Sequence, residues 1–267
     1  MKGADKMTDL QKLAVRIRIA EMKCFGHRGF GHVGGSLSIA DCLAALYGKL
    51  MKYDPENPSW EERDYLVMSK GHCGPSLYSA LAVEGYFPED WLLTLNEPHT
   101  RLPSHCDKNL TPGIDMTTGS LGQGASTSAG MALALKMDGR QNKMFCILGD
   151  GECDEGQVWE MALFAAARKL NNYGDTDNVL PLGSLKDKFE NFGWYSAEVD
   201  GNDPDAIADA VETGFANNGD RPVAVILNTK KGCGVPFIEE MEFNHHINLS
   251  QEQADEAIAL LKRSMEE

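Results

Sequence analysis

A single α/β domain, built on a mostly parallel sheet with helices on both faces, is predicted by three observations. Short β-rich runs at Tyr65–Met68, Met144–Leu148, Tyr195–Val199 and Val223–Leu227 are separated by helical or glycine-rich segments. That alternation places parallel strands beneath crossover helices. The 267 residues, 42% of them apolar, suffice for one sizeable core and carry no bias toward disorder. No internal repeat, low-complexity tract or linker rich in Pro, Gly and Ser divides the chain, so residues 1–267 read as one domain.

Leu10, Leu13, Ala14 and Ile17 recur at helical spacing with Lys12, Arg16 and Arg18 between them, which predicts an amphipathic opening helix. A glycine-rich turn follows. Ser38 with Asp41 three residues on reads as a capping box in front of CLAALYGKLM, and so predicts a second helix directly after GHVGGSL. The MFCIL strand runs into Gly149-Asp150-Gly151 and then a helix starting near Glu155. Ser250 and Gln253 cap a last helix through Ala254–Lys262.

The formal charge of −15 excludes a nucleic acid or an anionic membrane as partner, since either needs a basic face to neutralise phosphates. An anionic ligand has to be held by something other than bulk positive charge. Seven cysteines, odd in number and without a C-x-x-C pair, indicate neither a disulfide framework nor a zinc ribbon. Reduced thiols in the cytoplasm are the expectation. The start of the chain is interrupted by charges, unlike a signal peptide, and no stretch is long and apolar enough to span a bilayer, so a soluble cytoplasmic protein is expected.

Sites in open α/β sheets lie at strand ends, and the strongest local signal is the strand end at GDGECDEGQVWE. Glycines flanking Asp150 let a phosphate approach the backbone, and the following helix start supplies free N–H groups. Asp150 repels a naked diphosphate, so a divalent cation with oxygen ligands, such as Mg²⁺, would reconcile the two. By itself, G-D-G after a strand is also an ordinary tight turn.

The continuation E-G-x-x-W-E resembles the opening of the thiamine-diphosphate motif of transketolases, and the likeness extends over nearly the whole chain. It includes GHVGGSLS, MSKGHCGPSLYSAL, LPSHCDKNLTPGIDMTTGSLGQG and KKGCGVPF, in order. The resemblance implies a thiamine-diphosphate-binding fold and the N-terminal, diphosphate-side subunit of a split transketolase. It further implies that His32, His72, His105 and His245 line the substrate channel or touch the cofactor. His72, His105 and His245 would handle protons or contact the donor's hydroxyls. Gly119, Ser120 and Leu121 would meet the cofactor through backbone groups, Gly151 and Glu152 would meet the diphosphate, and Asp150 would bind the metal. Glu155 and Glu160 match acidic positions that link two cofactor sites across a dimer. His27, His99 and His246 lie outside these motifs and read as ordinary surface or core residues.

The reaction implied is transfer of a two-carbon ketol unit from a ketose phosphate to an aldose phosphate, with thiamine diphosphate and Mg²⁺. In full-length relatives the glutamate on the cofactor's pyrimidine and the substrate-phosphate clamp belong to a second domain, so a separately encoded C-terminal subunit is implied, with two copies of each chain. Two departures stand out. The family's Trp-His-Gly is Asn244-His245-His246 here. After Asn171-Asn172, relatives run an apolar strand into an Asp-x-Asn metal segment, whereas this chain passes directly to Tyr173-Gly174-Asp175-Thr176-Asp177-Asn178. Either the natural chain carries a further strand and turn here, roughly a dozen residues, or a deletion leaves a cofactor-free relative. Two other functions therefore stay open: a degenerate regulatory subunit, and membership of another thiamine-diphosphate enzyme such as a synthase or α-keto-acid dehydrogenase.

Overall fold

The computed structural model describes residues 7–170 and 183–266. Helix α1 (Asp9–Arg28) opens on a capping box: the Thr8 hydroxyl accepts from the Gln11 N–H while the Gln11 side chain accepts from the Thr8 N–H. Its apolar positions Leu10, Leu13, Ala14 and Ile17 are buried, and it packs against α3 (Ala40–Ala45), α4 (Gly74–Val83) and α10 (Gln251–Ser264). The capping box predicted at Ser250 and Gln253 starts α10.

The box predicted at Ser38 does not form. Helix α2 (Val33–Leu37) already occupies GHVGGSL, so Ser38 is itself helical at that helix's C-terminal end, and its hydroxyl donates to the Gly35 carbonyl. An N-cap needs a residue outside the helix with free N–H groups ahead of it.

Four parallel strands match the β-rich runs. β2 (Tyr65–Met68) pairs with β3 (Met144–Ile147), Tyr65 opposite Met144, and β4 (Tyr195–Asp200) pairs with β5 (Val223–Asn228), Tyr195 opposite Val223. Alternation sorts their side chains between two cores. Leu66, Met68, Phe145, Ile147, Val223, Val225 and Leu227 face α1, α3, α4, α8 (Pro204–Asn217) and α10. Val67, Met144, Cys146, Ala224 and Ile226 face α5 (Gln123–Met137), α6 (Gly156–Ala167) and α7 (Leu185–Asn191). Both strand pairs thus share one layer with helices on each face, but among the described residues no ladder joins β3 to β4 or β5. A cleft of about 570 Å³ opens where β3 and β5 begin, walled by Met144, Leu170 and Phe215.

A short antiparallel pair completes the fold. β1 (Phe30–Gly31) meets β6 (Ile247–Asn248), which brings the segment leading into His32 beside the loop carrying His245 and His246.

Beneath α2 and α4 lies a buried acid. Glu21 is fully enclosed, and neither of its oxygens has a partner in hydrogen-bond geometry among the described residues. Burial pushes its pKa up to about 7, against the lowering influence of the Ser76 hydroxyl and Arg18. The folded value lies above the unfolded one, so the stability contributed by the neutral acid is complete below about pH 4.5 and lost as pH rises through 7. Glu21→Gln is expected to stabilise the protein by about 3 kcal/mol at pH 8 and not at pH 4.5, checked by urea unfolding at both values.

Candidate active site

The two strand ends of the β2/β3 pair carry the site. β2 leads into Ser69-Lys70-Gly71-His72 and β3 into Gly149-Asp150-Gly151. Gly71 is needed because its backbone runs against Gly119: a Cβ there would lie 2.8 Å from the Gly119 N and Cα. That approach brings the GSLG turn against the start of α4, with His105 packed over both glycines.

Glu152 locks the arrangement. It is 1% exposed, and its carboxylate accepts from the Ser69 hydroxyl, from the Gly122 N–H at 2.8 Å and from the Gly149 N–H at 3.0 Å. Burial raises its pKa, opposed by those three donors and by the charge of Lys70. A carboxylate so enclosed ties the Gly122 loop and the Gly149 turn to the end of β2. The N–H groups of Gly151 and Glu152 have no acceptor among the described residues, while that of Cys153 donates to the Asp150 carbonyl at 2.8 Å. A Cβ on Gly151 would meet nothing within 4 Å, so the turn is open on that side.

Four predicted histidines converge. The His32 ring lies 5.2 Å from His72, 6.5 Å from His105 and 5.3 Å from His245, and His72 lies 4.9 Å from His245, centroid to centroid. His246 joins them at 4.8 Å from His32. Its sequence context reads as ordinary, and the only signal for it is its place beside His245 on the loop that β6 ties to β1. His27 and His99 are exposed.

Burial first, then the neighbouring cations and imidazoles, hold His72 down to about 3 and His32 down to about 4. His245 is lowered by burial, Lys231 and Lys70 against the pull of Asp150. At neutral pH the His32 and His72 rings are uncharged, so each pairs one N–H donor with one acceptor nitrogen, the form suited to passing a proton or gripping a hydroxyl.

Ser120 and Leu121 are exposed beside Gly119, Glu155 is the exposed N-cap residue of α6, and Glu160 is exposed on that helix. The carboxylate of Asp150, whose side chain has no hydrogen bond among the described residues, sits at the turn after β3. No group of three His, Cys, Asp or Glu side chains among the described residues is arranged to hold a metal ion. Asn171, Asn172 and Asn178, and the sequence departure they flank, lie outside the described residues. The glycine turn, its free N–H groups and buried Lys70 fit a diphosphate, while the metal shell has Asp150 alone.

Residues 10–264 match the family model of the transketolase thiamine diphosphate binding domain. The 6-deoxy-6-sulfo-D-fructose transketolase subunit SqwG of Clostridium sp. (strain MSTE9) is 49% identical, over 97% of this chain and 98% of its own. An apulose-4-phosphate transketolase subunit of Actinobacillus succinogenes is 37% identical, over 93% of this chain and 94% of its own. The Clostridium match runs over 272 positions yet takes in 97% of 267 residues, about 259, so about a dozen positions of the relative have no counterpart here. Among solved structures, transketolase from Leishmania mexicana superposes with a TM-score of 0.83 at 26% identity, and that from Campylobacter jejuni with 0.84 at 28%. They cover 97% and 94% of this chain, which spans 42% of each of theirs. These likenesses identify the chain as a member of the transketolase family, its N-terminal thiamine-diphosphate-binding domain.

Proposed function

We propose that this chain is the diphosphate-side subunit of a two-chain transketolase, acting in the cytoplasm on sugar phosphates or similarly charged sugars. The observation that carries the reading is the convergence of His32, His72 and His245 just beyond the end of β2, in a chain spanning less than half of the solved transketolases. Its full-length relatives by coverage are named as subunits, one for a sulfo-fructose and one for apulose 4-phosphate. Both names point to a ketose bearing an anionic group.

Bound thiamine diphosphate would supply the carbanion chemistry that breaks and remakes the carbon–carbon bond. The chain's own residues do the rest. Gly151 and the N–H groups of its turn receive the diphosphate, and Gly119, Ser120 and Leu121 present backbone to the cofactor. His72, His105 and His245 contact the donor's hydroxyls and move its protons, with His32 and His246 fixing their orientation. Glu155 and Glu160 extend from α6 toward a second copy, in an assembly of two copies of each chain. Asp150 is the metal ligand for Mg²⁺.

A non-catalytic subunit is the second reading, favoured by the single carboxylate at the metal position among the described residues. Donor profiling with the co-expressed partner tests both. Ketose phosphates are expected to give a two-carbon transfer product and pyruvate none. Turnover of pyruvate would assign another thiamine-diphosphate enzyme, and the absence of any turnover would favour the non-catalytic subunit.

A further inference from the structure

Helices α1, α2 and α4 bury polar groups that nothing around them satisfies. Glu21 of α1, Ser36 of α2, and Ser76 and Ser79 of α4 are fully enclosed, and none of their side-chain oxygens has a hydrogen-bond partner among the described residues. A helical serine ordinarily bonds back to a carbonyl of the preceding turn, as Ser38 does to Gly35. Arg18, one turn before Glu21, is committed to Asp41 and to the Leu37 carbonyl, so it is not a partner for the acid. Buried polar groups left in this way are costly unless something bonds to them.

Glu21, Ser36 and Ser76 lie close together. The Ser76 hydroxyl acts on the Glu21 carboxyl, and the Cys73 thiol feels both the Ser36 hydroxyl and the charge of Glu21. A Cβ on Gly35 would lie 3.4 Å from the Cys73 sulfur and 3.2 Å from His72 Nε2, so α2 lies directly against the start of α4. A carboxyl and two hydroxyls that are near one another yet unbonded are the partners an internal water needs, since water both donates and accepts. Ser36 stands four residues after His32, and Ser76 four after His72, about one helical turn from each. A bridge between the two serines therefore acts on the spacing of the two imidazoles, whose centroids are 5.2 Å apart.

We infer that Glu21, Ser36 and Ser76 enclose an ordered water that joins α1 to α2 and α4, and that through it Glu21 is a positioning residue for His32 and His72. The water follows from the packing of the three helices alone, and its consequence for turnover rests on the transketolase reading above.

The test pairs a crystal structure of the co-expressed two-subunit protein, at a resolution that orders internal waters, with steady-state kinetics of wild type, Glu21→Leu, Glu21→Gln and Ser76→Ala. Wild type and Glu21→Gln are expected to show a water within hydrogen-bond distance of residue 21 and of the Ser36 or Ser76 hydroxyl, and Glu21→Leu to show none. Glu21→Leu is expected to lower kcat roughly tenfold or more, with KM for the sugar and affinity for thiamine diphosphate little changed and with melting at pH 8 no lower than wild type. Glu21→Gln is expected to restore most of kcat, because its amide still donates and accepts, and Ser76→Ala to lower kcat by a smaller factor from the other helix. A direct Glu21–Ser76 hydrogen bond with no water between, or a peak that takes up rubidium on soaking and so is a cation, would overturn the water. Wild-type kcat in both Glu21→Leu and Ser76→Ala would overturn the positioning role. No turnover in wild type would instead overturn the transketolase reading, and the density would still decide the water.

Discussion

Glu152→Ala is expected to lower the unfolding free energy by about 4 kcal/mol and to abolish cofactor binding. The Ser69 hydroxyl and the Gly122 and Gly149 N–H groups all donate to this one carboxylate in a site closed to water. Truncation leaves three buried donors facing a void, each costing roughly 1–3 kcal/mol. Partial collapse and water entry would recover some of that total. The Gly122 loop and the Gly149 turn then have no common anchor, and the backbone that would receive the diphosphate loses its shape. Urea unfolding and thiamine diphosphate titration check the two halves separately. Glu152→Gln is expected to fall between, because its amide oxygen can accept from one side while its NH₂ opposes a donor on the other.

Gly34→Ala is expected to cut turnover by roughly a hundredfold while the cofactor still binds. A Cβ at this position would lie 2.3 Å from the Asn244 carbonyl oxygen, and backbone cannot swing aside as a long side chain can. Gly34 also donates its N–H to that carbonyl at 3.0 Å and accepts from the Gly232 N–H at 3.0 Å. Asn244 in turn is fixed by its side-chain amide to the Lys231 and Ile238 carbonyls. Making room for a methyl group therefore moves the segment that carries His245 and His246. A displacement of about an ångström of a positioned group costs on the order of a hundredfold in rate. Steady-state kinetics beside a cofactor titration separate this outcome from simple unfolding.

Much of the architecture was legible because its signals are local. The run Tyr65–Met68 recurs as a strand with those bounds, and Ser250 caps its helix because the chain before it is extended. Ser38 carries a similar spacing and fails, because the glycines ahead of it are already helical. The motif histidines stand out through their flanking residues, yet His246 does not, since nothing in its own neighbourhood shows that β1 and β6 pair. Burial was the least visible property. Nothing in the sequence marks Glu152 or Lys70 as enclosed, and only the meeting of three loops buries them. The sheet's continuity was not legible either: the two strand pairs line one layer without a ladder between them among the described residues.

The most direct measurement is ketol transfer by this chain alone, by its separately encoded partner alone and by the mixture, each with thiamine diphosphate and Mg²⁺. A half-site subunit is expected to be inert by itself and to give transfer product only in the mixture. Turnover by this chain alone would contradict that division of the active site, as would a mixture that binds the cofactor and transfers nothing.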